Sequence, residues 1–218
     1  MILKRGDNAP NFALKDINGM YHKLHSHKGR KVMLCFNRFA SCPLCRMDMD
    51  YIIHHQEILS RAGIDIICVF PSPSRVMEHY LPQKSSSLTL LTDPSELTYK
   101  MFGVGKSAFA LCLSLMGVGW GKGISAYRRG YKSPPNTDIH GAVSRLPAEF
   151  LIDEQGRVVD AFRAGTIGQF MPWERIEAFM PSKYLMLKTF NITKKKKSYS
   201  SLCDRKRDDD TDYEDDIQ

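Results

Sequence analysis

The sequence predicts an α/β protein with a β-hairpin at its N-terminal end and a partly helical insertion late in the domain. Two observations carry the class: short β-branched and aromatic runs alternate with segments of helical periodicity, and the central runs are apolar almost throughout, as strands buried on both faces are. A third, a glycine-rich interruption over residues 105–140, marks the insertion.

Asn11–Leu24 (NFALKDINGMYHKL) turns at Ile17-Asn18-Gly19 and reads as the hairpin. Lys31–Arg38 (KVMLCFNR) has the apolar core of a buried strand. Pro43–Ala62 is helical: Leu44, Met47, Tyr51, Ile58 and Ala62 recur at helical steps, Cys45, Ile52 and Leu59 form an inward row, and Gly63 stands where a C-terminal cap belongs. Ile64–Phe70 is a second buried strand, Ser74–Leu81 a helix after the Pro71–Pro73 turn, and Leu88–Thr92 a third strand. Asp93 and Pro94 read as the N-cap and first residue of the next helix. The insertion combines the apolar stretch Ala108–Val118, the glycines at 105, 117, 119, 121 and 123, and the basic aromatic patch YRRGYK (Tyr127–Lys132). Ala148–Asp153 and Arg157–Arg163 form a late hairpin, and Pro172–Met180 a closing helix. The expected domain is 1–187, followed by a charged, disordered tail over 188–218.

The 218 residues are 43% hydrophobic and 25% charged, enough for one domain with its own core. No stretch reaches the roughly 18 apolar residues of a membrane span. The opening MILKRGDNAPNF turns polar at once and does not read as a signal peptide, so the expected setting is cytoplasmic, away from the membrane. The net charge of +7 is scattered, and residues 188–218 hold eight basic and eight acidic side chains, so a nucleic-acid partner is not expected.

Of six cysteines, Cys35 and Cys68 lie in apolar strands and Cys112 in the apolar stretch of the insertion, all expected in the core. Cys42 and Cys45, in SCPLC, have a spacing that suggests chemistry. Cys42 falls at the N-cap of the first helix with Pro43 at its first position, where unsatisfied N–H groups and the helix dipole favour a thiolate. Cys45 lies one turn on, within reach of a disulfide and on the sheltered side. An exposed attacker with a protected resolver suits thiol–disulfide exchange. Two readings compete at this point: a chance pair of core cysteines, and a metal site, which would want further ligands from elsewhere in the chain.

Four segments in order, GDNAPNFAL, VMLCFNRFASCPLC, LLTDPSELTYKMFGV and LPAEFLIDEQGRVV, resemble the alkyl hydroperoxide reductase/thiol-specific antioxidant branch of the thioredoxin superfamily, in its CPxC-bearing redoxins. The resemblance spans Gly6 to about Met180. It implies a thioredoxin-like mixed sheet with helices on both faces, and a thiol–disulfide oxidoreductase that needs no cofactor and no metal. Cys42 resembles the nucleophile and Cys45 its resolving partner. Pro147 resembles the cis-proline facing the pair, and with Pro43 and Arg38 it is a candidate for substrate positioning. The implied partners are a disulfide or peroxide substrate, an external thiol reductant and a possible second copy of the chain.

Departures from the family narrow this. The Pro-x-x-x-Thr/Ser-x-x-Cys pattern of peroxiredoxins fits neither cysteine: Phe39 and Cys35 precede Cys42, and Cys42 and Arg38 precede Cys45, at those offsets. Pro147 stands where peroxiredoxins place an arginine, and Phe36 where thioredoxins place a buried aspartate; Ser41 replaces their tryptophan. Arg38 either lends positive charge to the thiolate or sits in solvent at the strand end. The alternatives to disulfide exchange are a thiol peroxidase and, from another class, a copper- or partner-binding module using the insertion.

Overall fold

The computed structural model describes residues 2–81, 88–116, 118–132 and 135–181. The chain separates into a compact unit, Met1–Phe179, and a second, Met180–Gln218, nearly all of it outside the described residues together with the expected tail and Cys203.

Seven strands form one mixed sheet in the order β2-β1-β5-β4-β3-β6-β7: β1 (Ala13–Asp16), β2 (Tyr21–Lys23), β3 (Lys31–Phe36), β4 (Ile64–Phe70), β5 (Leu88–Thr92), β6 (Ala148–Ile152) and β7 (Val158–Arg163). β3, β4 and β5 run parallel, joined by α1 (Pro43–Arg61) and α2 (Ser74–Tyr80), because parallel neighbours need a crossover. The hairpins β1–β2 and β6–β7 close the two edges antiparallel. This is the mixed sheet that the family resemblance implies.

Strand alternation divides the interior into two layers. Val32, Leu34 and Phe36 of β3 join Ile67, Val69, Phe150 and Ile152 in the main core, capped by Tyr99 and Phe102 in and after α3 (Leu97–Met101). Phe36 stands at its centre, its ring 4.9 Å from Tyr99, 5.0 Å from Phe102 and 5.8 Å from Phe150. The opposite face carries Cys35, in register between Cys68 and Glu149. That is the α1 side, since Asp48 of α1 acts electrostatically on both Cys35 and Glu149. Helices therefore cover both faces.

The stripe that α1 buries is Cys45, Met49, Ile52 and Leu59, while Tyr51 is 39% exposed and meets Trp173 of α6 (Trp173–Phe179) edge-on. The inward row Cys45, Ile52 and Leu59 is thus the one the spacing predicts, with Met49 added to it. Gly63 adopts φ 75° and closes α1 with a bond from its N–H to the Ser60 carbonyl. Asp93 is not an N-cap as expected: α3 starts at Leu97 after Glu96 in the left-handed region, φ 54°. The Asp93 carboxylate still holds that start, accepting bonds from the N–H groups of Leu97 and Thr98 and from the hydroxyls of Ser95 and Thr98.

The insertion holds α4 (Ala108–Met116) and α5 (Val118–Arg128), the latter packed on α1. α4 turns Ala110 and Ser114 inward, and the Ser114 hydroxyl accepts the Ile167 N–H at 2.9 Å. Cys112, expected in the core, is instead exposed on the other side of that helix beside Phe109 and Leu113. Among the described residues no helix is long and apolar enough to cross a membrane.

Phe36→Ala should cost about 3–5 kcal/mol in denaturant unfolding, the usual cost of deleting a core aromatic ring. A loss below about 1 kcal/mol would mean that the ring does not centre the core.

Candidate redox site

The site begins where β3 ends. Asn37 continues the strand, its N–H bonded to the Val69 carbonyl at 3.0 Å, and the Tyr99 hydroxyl donates to the carbonyls of Asn37 (2.7 Å) and Val69 (2.9 Å). The next five residues form a tight buried turn. The Ala40 N–H donates to the Ser72 hydroxyl at 2.9 Å, the Ser41 hydroxyl to the Asp138 carbonyl at 2.8 Å, and the Cys42 N–H to the Phe39 carbonyl at 3.1 Å. Cys42 is extended (φ −64°, ψ 119°) and caps α1, with Pro43 at the first helical turn, as the spacing predicts.

Arg38 does not sit in solvent at the strand end. Its side chain is buried, with Nη1 3.3 Å from Cys42 Sγ and Nη2 donating to the Val143 carbonyl at 2.5 Å. The segment that supplies Val143 crosses the site on Gly141. That residue has φ 94°, and a Cβ there would lie 2.7 Å from Pro71 Cγ. Covered in this way, Cys42 is 1% exposed and Cys45 0%. The attacker is thus as enclosed as the resolver, against the expectation of an exposed sulfur.

The two sulfurs differ electrostatically. A hydrogen bond from the Cys45 thiol is the largest influence on Cys42. With the Arg38 charge and the N–H groups of Cys45 and Leu44 it outweighs burial, lowering the Cys42 thiol to about 6. Cys45 moves the opposite way, raised by its bond to Cys42, by burial and by the charge of the Cys42 thiolate. At neutral pH the pair is a thiolate held by a thiol.

Pro147 lies at the same end of the sheet, since Ala148 pairs with Phe36 and the register carries Pro147 to Asn37. It is buried, and its peptide bond is trans rather than the cis bond expected. Its carbonyl accepts the Ala164 N–H at 3.0 Å, continuing the β6–β7 ladder. Arg145, two residues upstream, is buried too, but its guanidinium is taken by Glu96 and by the Val104 carbonyl (2.9 Å) and lies over the Tyr99 ring. Among the described residues no three His, Cys, Asp or Glu side chains gather as a metal site would need. His22 and His27 pair with Asp16 and Asp65.

Sequence reasoning missed Ser72, Asp138 and the Val143 carbonyl, which lie 32 to 105 residues from the groups they hold. No local signal could have found them.

The AhpC/TSA family profile matches residues 5–161. The chain belongs to the AhpC/TSA family. As a member it is a thiol-dependent oxidoreductase of the peroxiredoxin-like redoxin kind. It is 28% identical over 108 residues to Peroxiredoxin Bcp of Escherichia coli, 49% of this chain and 69% of that protein. It is 27% identical over 101 residues to the thiol-disulfide oxidoreductase ResA of Geobacillus thermodenitrificans, 46% of this chain and 58% of that protein. The crystal structure of Peroxidoxin BcpB from Mycobacterium tuberculosis matches with a TM-score of 0.57 at 17% identity, over 81% of this chain and 94% of that one, and shares the fold.

For this AhpC/TSA protein, thiolate absorbance near 240 nm should rise with a midpoint at about pH 6, and Cys42→Ser should abolish that step. Arg38→Met should move the midpoint up by about one pH unit or more, the usual effect of removing a neighbouring opposite charge. An acid whose pKa is lowered on folding stabilises the fold above its unfolded value, near 8.5. The reduced protein should therefore lose this contribution as the pH falls towards 6, as unfolding midpoints across that range would read. An unchanged midpoint in Arg38→Met would remove Arg38 from the site.

Proposed function

We propose that Cys42 and Cys45 are the working dithiol of a thiol–disulfide oxidoreductase. The observation that carries this is the Cys42 sulfur held between the Arg38 guanidinium, at 3.3 Å, and the Cys45 thiol. A thiolate exists at neutral pH, and its resolving partner sits next to it.

The Cys42 thiolate attacks one sulfur of a substrate disulfide. A Cys42–substrate S–S bond forms, the substrate S–S bond breaks, and the leaving thiolate takes a proton from solvent. Loss of the thiolate charge removes one of the causes that hold Cys45 protonated, so Cys45 ionises more readily. It then attacks Cys42 Sγ, expelling the second substrate thiol. The substrate gains two electrons and the protein is left with a Cys42–Cys45 disulfide, which an external thiol reduces. Pro43 fixes the helix start under Cys42, and Pro147 lines the same sheet end. The groups that hold Cys42, Arg38 with Cys45 and the Leu44 N–H, all lie on this chain. A cytoplasmic setting, where cellular thiols return the pair to its reduced form, suits such a cycle.

A second reading, peroxide reduction, is favoured by the relative named Peroxiredoxin Bcp. There the Cys42 thiolate attacks the peroxide oxygen, releasing an alcohol or water and leaving a sulfenic acid. Cys45 condenses with it to the same disulfide and a second water. Against this, the Thr/Ser that peroxiredoxins carry three residues before the cysteine is Phe39 here. Copper binding would want a third ligand beside the pair.

A redox titration with mass mapping should give one reversible two-electron couple between about −300 and −120 mV, with the disulfide joining Cys42 and Cys45. Failure to form that disulfide would refute exchange. Peroxide consumption by the reduced protein at the rate of an ordinary cysteine would refute the peroxidase reading alone.

A further inference from the structure

A cleft of about 290 Å³ opens beside the first two turns of α1, lined by Arg46, Asp50, Tyr80 and Tyr131 among others. It joins three distant parts of the chain: α1, the end of α2, and the YRRGYK stretch for which the redox cycle has no use. Arg46 lies against two aromatic rings, 5.5 Å from the Tyr80 centroid and 5.4 Å from that of Tyr131. One turn along α1, Asp50 is the carboxylate placed to neutralise it. Tyr131 takes that carboxylate instead, donating its hydroxyl to Asp50, while Tyr80 donates to Asp138 Oδ2 at 2.6 Å. Burial and the Asp50 charge raise the Tyr131 hydroxyl, which keeps it a donor. Among the described residues no carboxylate forms an ion pair with Arg46.

The cleft lies next to the dithiol along α1, although neither sulfur lines it and both are buried. Arg46 follows Cys45 in sequence, and its N–H bonds the Cys42 carbonyl at 3.0 Å. Arg46 thus stands one helical turn after Cys42, the residue that caps α1. Asp138, which anchors Tyr80, is also the residue whose carbonyl receives Ser41. The cleft and the active turn therefore share a wall.

We propose that this cleft is the substrate subsite of the dithiol and binds, on Arg46, the carboxylate of a small disulfide or thiol. The inference rests on the Cys42–Cys45 exchange reading. A stacked guanidinium presents paired N–H groups that match a carboxylate, and the volume suits a small molecule rather than a protein segment.

Three probes with the same two-carbon arm test it: dithiodipropionate (anionic), bis(hydroxyethyl) disulfide (neutral) and cystamine (cationic). Each oxidises the reduced full-length protein, and each rate is divided by its rate with a free thiolate. The anionic probe should be preferred over the neutral one by about tenfold or more, the low end for a hydrogen bond to a charged group. The preference should lie in the apparent KM rather than in the limiting rate. Arg46→Gln should bring the ratio near one. Tyr131→Phe keeps the ring but releases Asp50 to pair with Arg46, and should lower the ratio part-way. An unchanged ratio in Arg46→Gln, or an equal slowing of all three probes, would overturn the subsite. If no probe oxidises the wild-type protein, the exchange reading itself fails and the subsite falls with it.

Discussion

The contact between Arg38 and Cys42 is the interaction on which the rest of the site depends. A guanidinium buried at the end of a strand is costly unless a negative partner repays its lost hydration. A thiolate buried beside it has the same need. At 3.3 Å each supplies the other, and the Val143 carbonyl takes a second guanidinium nitrogen. The Cys45 thiol adds a hydrogen bond that only an ionised Cys42 can use fully. Stabilising the thiolate stabilises the reduced protein, and this makes the derived disulfide the stronger oxidant.

The fold supplies that contact with a fixed geometry. β3 enters the site from the centre of the sheet, with Phe36 locked among three aromatic rings. Tyr99 clamps the ends of β3 and β4 through two carbonyls, so Arg38 leaves from a point that cannot drift. Ser72, from the turn after β4, and Asp138, near the end of the insertion, then hold the active turn from two sides. The insertion is thus tied to the site: its far end carries the Asp138 anchor, and the segment that follows it carries the Val143 carbonyl that accepts from Arg38.

What could be read in advance follows from the range of the physics involved. Continuously apolar strands, the Asn18-Gly19 turn and a cysteine-proline pair at a helix start are governed by neighbours within a few residues, and each stands in the structure. The inward row of α1 was legible too, since Cys45, Ile52 and Leu59 repeat every seven residues, two turns of a helix, and packing adds Met49 to it. Cys112 sits in an apolar run, yet α4 is covered on one side alone, and no residue of that run says which. Asp93 carries the right cap chemistry, but the left-handed Glu96 delays the helix. The role of Arg38 depends on Val143, 105 residues away, and that of Arg46 on Tyr80 and Tyr131. Pairings over such distances leave no local pattern.

The family resemblance points to two sulfurs that the fold brings together, while its accessory groups are arranged differently here. Pro147 is trans, Arg145 is taken by Glu96, and Phe36 fills the core where thioredoxins keep an acid. The central claim is a division of labour between two adjacent sulfurs. Trapping tests it most directly: incubate Cys45→Ser and Cys42→Ser with a small disulfide and read the adducts by mass spectrometry. The account predicts a stable mixed disulfide on Cys42 in Cys45→Ser and none in Cys42→Ser. An adduct on Cys45 in Cys42→Ser, formed as fast as the other, would contradict it.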